Sequence, residues 1–169
     1  MSSKGFTLIE LIVVIVILGV LAVTAAPKFI NLKADAQTST LQNVQAAIKS
    51  ASALVYGKSI VKGNHKMSSS ITNSVNIGDD GGSNGDGELP VVYGYPSGLS
   101  DQFQRLLQLD SENADSYFAY KAIGNDSTTF LVYLKANEVP TTIDDACIVV
   151  YIAATAVGQS PTFKVNDCV

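Results

Sequence analysis

Residues 6–26 read FTLIELIVVIVILGVLAVTAA and hold a single charged side chain, Glu10. A helix of that length, rising about 1.5 Å per residue, would be roughly 31 Å long, close to the hydrocarbon thickness of a bilayer. A run that is apolar all round suits lipid or the core of a helix bundle. Glu10 sits near its start. A lone carboxylate costs a few kcal/mol at mid-membrane and less near an end, so its presence asks for a partner.

The helical pattern does not stop at Ala26. Pro27 removes one backbone donor and crowds the carbonyl of Val23, which predicts a kink without requiring an end. Beyond it the character becomes amphipathic. Leu41, Val44, Ile48, Ala51 and Val55 recur at helical spacing and form one apolar stripe. Gly57 is the expected C-cap, with Lys49 and Lys58 near the negative end of the dipole. The sequence thus predicts one long helix over 6–56. A secretory signal is a competing reading, with Lys4 as its basic region, Leu11–Ala22 as its apolar core and a cut after Ala25. Glu10 beside that core and the continuing helix both weigh against it.

From Gly57 to Pro90 the chain is rich in Gly, Ser, Asn and Asp and reads as loop, with a short element over Ser68–Val75. The carboxylates Asp79, Asp80, Asp86 and Glu88 raise the question of calcium. Their spacing does not fit an EF-hand, and a solvated loop is the preferred reading. Ser100 can cap a helix over Asp101–Leu109. Tyr117–Ile123 and Thr129–Lys135 read as a hairpin around Gly124–Thr128. Cys147–Ala153 and Thr162–Val165 complete four antiparallel strands, turned by Gly158–Pro161. The sheet's apolar face needs a cover, and the stripe from Leu41 to Val55 supplies one. The fold class is therefore α+β: a long N-terminal helix packed on an antiparallel sheet head.

The 169 residues suffice for one apolar segment and one small domain. Charge is uneven. Seven lysines face Glu10 and Asp35 in residues 1–66, whereas thirteen acids face four basic residues afterwards. This is either ordinary solvated surface or self-complementarity between the basic middle of one copy and the acidic end of another. The basic residues are scattered and lack interleaved aromatics, so no nucleic-acid partner is expected. His65 has no nucleophile or ligand at motif spacing, and no phosphate loop, dinucleotide fingerprint or zinc pattern appears. No enzyme activity, cofactor or metal site is expected. In an exported chain, Cys147 and Cys168 suggest one disulfide; two reduced thiols are the alternative.

Lys4-Gly5-Phe6-Thr7-Leu8-Ile9-Glu10 resembles the processing site of type IV pilins. The resemblance covers the leader and the apolar run to about Lys33, and extends more loosely to the helix-plus-sheet layout with a C-terminal Cys pair. It implies a leader over 1–5, a membrane-spanning and filament-core half-helix over 6–27, and an amphipathic half-helix plus globular pilin head over 28–169. It implies cleavage by the prepilin peptidase between Gly5 and Phe6, N-methylation of Phe6, a role for Glu10 in assembly, a helix kink at Pro27, and a disulfide joining Cys147 to Cys168. The short leader and N-terminal Phe look like the type IVa subclass. The run ELIVVIVILGVLAVTAAPKFINLKADA looks most like mannose-sensitive haemagglutinin (MSHA) major pilins, which serve surface attachment and biofilm formation. Implied partners are other copies in a helical homopolymer, the inner-membrane pilus assembly machinery, and a host or abiotic surface. The precursor would lie in the inner membrane with its N-terminus cytoplasmic, and the filament outside the cell. A pseudopilin of a type II secretion system shares the N-terminal motif and is the alternative.

Overall fold

The computed structural model describes residues 5–68, 73–79, 87–107, 116–123 and 128–169, with the side chains of 26–31 excepted. The acidic stretch 80–86, the hairpin turn 124–127 and the end of the second helix beyond Leu107 lie outside the described residues.

One helix dominates. α1 runs Leu8–Lys62, 55 residues, unbroken at Pro27, and is about 82 Å long. It ends six residues later than the sequence predicted. Gly57 is accommodated inside the helix, and Gly63 is the cap, with φ at 78° and its N–H donating to the carbonyls of Ile60 and Ser59. That left-handed conformation is cheap for glycine. Beyond the cap, Ser59 Oγ donates to Asn64 Oδ1 in a buried contact that fixes the chain's exit.

Among the described residues, seven strands form two sheets. The order β4-β5-β6-β7 describes the larger, from β4 (Phe118–Ile123), β5 (Thr129–Leu134), β6 (Ile148–Ile152) and β7 (Thr162–Asn166), all antiparallel. These are the four strands expected. The smaller sheet was not expected. It joins β1 (Ser74–Asn76), β2 (Glu88–Val92) and β3 (Tyr95–Pro96). The alternation of buried Leu89 and Val91 along β2, which starts inside the 57–90 stretch expected as loop, and the tight turn Tyr93-Gly94 just beyond it, with φ of 49° and 88°, are hairpin chemistry. The free edge of β1 is capped by α1 and its exit: Asn64 Nδ2 donates to the Ser74 carbonyl and Lys58 Nζ to that of Asn76.

The stripe on α1 serves both sheets. Leu41 and Ile48 pack with Phe130, Val132, Leu134, Val149 and Tyr151 of the larger sheet. Val55 packs with Val75, Leu89 and Val91 of the smaller. α2 (Ser100–Leu107) closes the gap, its buried Phe103 stacked on Phe130 at 4.6 Å and edge-on to Tyr151 at 4.5 Å. Tyr151 Oη donates to the Pro96 carbonyl at 2.6 Å, tying β6 to β3. Burial, with Tyr95 nearby, pushes its phenol well above the ordinary tyrosine range.

The outer face of the larger sheet is also apolar, built from Leu131, Tyr133, Ile148 and Val150. The connection 135–147 is strapped to it. Lys121, Leu131, Val150 and Lys164 form one cross-strand row. From its two ends Lys121 Nζ reaches the Pro140 carbonyl and Lys164 Nζ reaches Asp144. Asn166 Nδ2 donates to the carbonyls of Ile143 and Asp145. Asp145 organises the strap from within, accepting from the backbone N–H groups of Thr141 and Thr142 and from both hydroxyls. These bonds, led by the Thr142 hydroxyl, hold its carboxyl down at about 2.

Candidate functional site at the amino end of the long helix

Gly5, Phe6 and Thr7 precede the helix. Thr7 is its N-cap, in extended conformation with φ −85° and ψ 149°. Its hydroxyl accepts from the Glu10 N–H at 3.3 Å. In return Glu10 Oε2 accepts from the Thr7 N–H at 2.9 Å and from its hydroxyl at 2.8 Å. This reciprocal capping box satisfies donors that every helix start leaves open, and places a carboxylate at the positive end of the dipole. The apolar pattern predicts a helix start at Phe6, two residues ahead of the observed one. The signal was present, because Thr-x-x-Glu before an apolar run is the signature of this cap.

The geometry keeps the Gly5–Phe6 bond in non-helical backbone, two residues ahead of α1. Phe6 is 75% exposed. Then comes Leu8–Ala25, an 18-residue stretch apolar enough to cross a membrane and with none of it buried within the chain. Within it the Thr24 hydroxyl donates back to the carbonyls of Leu21 and Val20, at 3.0 and 3.4 Å, so it needs no outside partner. Pro27 lies farther along the same helix, and Lys4 lies outside the described residues.

The other candidates are far from this end. Cys147 and Cys168 form a disulfide. It joins the end of the strap to the residue pair after β7, and the Cys168 N–H donates to Thr38 Oγ1 on α1 at 2.9 Å. His65 packs edge-on against Tyr56, which stacks on Tyr95 at 4.4 Å. Of the acids weighed for calcium, Asp79 is engaged by Arg105 at 2.6 Å and Glu88 by Lys62 at 3.2 Å. Among the described residues no group of three His, Cys, Asp or Glu is placed to hold a metal. Those two ion pairs also mean that part of the charge complementarity suspected between copies is satisfied inside one chain.

Comparison with known proteins agrees with the site. Residues 1–26 match the prokaryotic N-terminal methylation motif. The chain is similar to the type IV narrow pilus major component PilA5 of Thermus thermophilus, 46% identical over 54 residues, or 32% of this chain and 47% of that one. It is similar to a fimbrial protein of Pseudomonas aeruginosa, 42% identical over 62 residues, or 36% of this chain and 40% of that one. The matched stretches thus span less than half the length of these curated relatives. No solved structure matches.

Proposed function

We propose that this chain is the precursor of a type IV pilus subunit of the MSHA type, which polymerises through α1 and serves surface attachment and biofilm formation. The observation that carries the reading is the methylation motif over residues 1–26 on a helix whose first 18 residues are wholly exposed. An isolated chain leaves that surface bare. Lipid covers it in the precursor, and other copies of the same helix cover it in a filament.

The chemistry follows from the ends. Prepilin peptidase cuts between Gly5 and Phe6 on the cytoplasmic side of the inner membrane, the leader 1–5 departs, and the new Phe6 amine is methylated. Glu10, one turn on, then has a cation of matching kind in the next copy. Among the described residues only Thr7 engages its carboxylate. Pairing with a neighbour's amine relieves the cost of a charge in an apolar core and fixes axial register, because both groups sit at set positions. Pro27 loosens the helix beyond the span, and residues 28–169 form the displayed head. The partners are other copies, the peptidase, the inner-membrane assembly machinery and the colonised surface.

Mass spectrometry of the mature N-terminus tests this directly. A chain beginning with methylated Phe6 is expected; one beginning near Ala26 overturns the proposal in favour of a secreted protein. Electron microscopy then separates the pilus reading from a type II secretion pseudopilin, which predicts no long surface filaments.

A further inference from the structure

The head has two cores of unequal strength, and they meet at a polar seam. Among the described residues the core under the larger sheet buries eleven apolar side chains, the two half-cystines included. The core under the smaller sheet buries four, Val55, Val75, Leu89 and Val91. Between Ile48 in the first and Val55 in the second, the buried stripe of α1 carries Ser52, 1% exposed. Ser52 adjoins the Tyr151 phenol, which bonds the Pro96 carbonyl. Beside Pro96, Ser97 Oγ is buried without a hydrogen-bond partner, as is Nε2 of Gln102, whose Oε1 accepts from the Ser97 N–H. Farther out, His65 Nδ1 and Asn73 Oδ1 are buried and unpaired as well. Among the described residues no such atom belongs to the larger sheet. A buried polar group left unpaired weakens the packing around it. The covalent tie is as uneven, because Cys147–Cys168 fastens only the larger sheet, with Cys168 bonded to α1 at Thr38.

Few contacts hold the smaller sheet to the rest of the head. α2 is anchored in the larger core by Phe103, and its Leu106 packs against both cores. From α2 the Arg105 side chain, 16% exposed, reaches across. Its Nε and Nη2 donate to the two carboxylate oxygens of Asp79 at 2.8 and 2.6 Å, and its Nη1 donates to the Glu88 carbonyl at 3.0 Å. One fork thus holds the chain beyond β1 and the first residue of β2, and such a bidentate pair is strong and directional. Tyr151 Oη holds β3 through Pro96. Beside the fork the packing is open, where a cleft of about 270 Å³ enters between Ala51 and Val55 of α1, Ile77, and Leu106 of α2. We infer that the head consists of two units that open separately, with Arg105 as the latch between them. The distal unit is the end of α1 from Val55 together with β1, β2 and β3. It opens and recloses while the larger sheet, its disulfide and the stripe from Leu41 to Ile48 stay folded. Opening lets water reach the unpaired atoms of Ser97, Gln102, His65 and Asn73, which offsets part of the cost of exposing four apolar side chains. The inference does not depend on the filament reading above.

Native-state amide exchange on the full chain in detergent micelles is the test. The distal reporters are Ile77 and Val91, whose N–H groups donate to the carbonyls of Gly87 and Asn73. They are expected to exchange about tenfold or more faster than the amides of β5 and β6, with a weaker dependence on denaturant. Arg105→Met should speed Ile77 and Val91 about tenfold, and Arg105→Lys, which keeps the charge and loses the fork, should speed them less. Val132→Ala, in the larger core, should speed exchange in β5 and β6 and leave Ile77 and Val91 unchanged, because those two exchange without unfolding that core. Equal exchange of the two groups in the unmodified chain, or equal acceleration of both by Val132→Ala, overturns the two-unit head. Unchanged exchange at Ile77 and Val91 in Arg105→Met overturns the latch.

Discussion

The two halves of α1 are one continuous helix with opposite relations to the rest of the chain. Residues 8–25 touch nothing but themselves, and every one of them is exposed. Residues 32–62 bury one face completely, with Leu41 and Ile48 at 0% exposure. The same backbone geometry therefore stands on two different energy sources. The distal half is held by tertiary burial, worth about 1.5–3 kcal/mol per large side chain. The proximal half gains nothing from this fold and must be covered from outside it. Its apolar surface therefore adds nothing to the stability of the folded head.

Substitutions can break this comparison. The largest effect is expected from Ile48→Ala, which should lower head stability by about 2–5 kcal/mol in denaturant titration. Ile15→Ala removes as many atoms and should leave that stability unchanged; equal losses at the two sites would erase the distinction. Next is the disulfide. Reducing Cys147–Cys168 should cost about 3 kcal/mol, because it frees a loop of 20 residues. It should also loosen the head's grip on α1 at Thr38, seen as faster amide exchange there, with no change in exchange over 8–25. Tyr151→Phe should cost about 1 kcal/mol, the net worth of the hydrogen bond to Pro96, read as a lower melting temperature.

The smallest effect is a pH dependence confined to the head. Asp145 is held at about 2 in the folded chain, below its unfolded value. The strap therefore gains stability above the ordinary carboxylate range and loses it as pH falls from about 4 toward 2. Asp145→Asn should flatten the melting temperature profile in that window and leave it unchanged at neutral pH apart from a constant offset.

The stripe on α1 was legible because its spacing has only one helical interpretation, and the four strands of the larger sheet because their runs are long and β-rich. The disulfide was suggested by an even cysteine count. The smaller sheet was hidden. β1 and β3 are three and two residues long, too short to show a period, and β1 lies in the Gly-, Ser-, Asn- and Asp-rich stretch that composition assigns to loop. The end of α1 was misplaced because a glycine inside a helix costs only about 1 kcal/mol. Packing overrode it at Gly57 and left the cap to Gly63. At the candidate site, Gly5, Phe6 and Glu10 carried their own signal, while Thr7 was overlooked as an ordinary polar residue.

The sequence by itself determined the long helix, its apolar first half with Glu10 near the start, and the stripe that the head would cover. Those are one-dimensional patterns, written in spacing and composition. Only the tertiary structure decided which acids are engaged: Glu88 by Lys62, Asp79 by Arg105, Asp145 by its own strap. It also decided that α1 leaves Leu54 and Val61 exposed while it buries Val55. An exposed small or apolar residue looks the same in sequence as a buried one. The difference appears only when the sheets have chosen which side of the helix to cover.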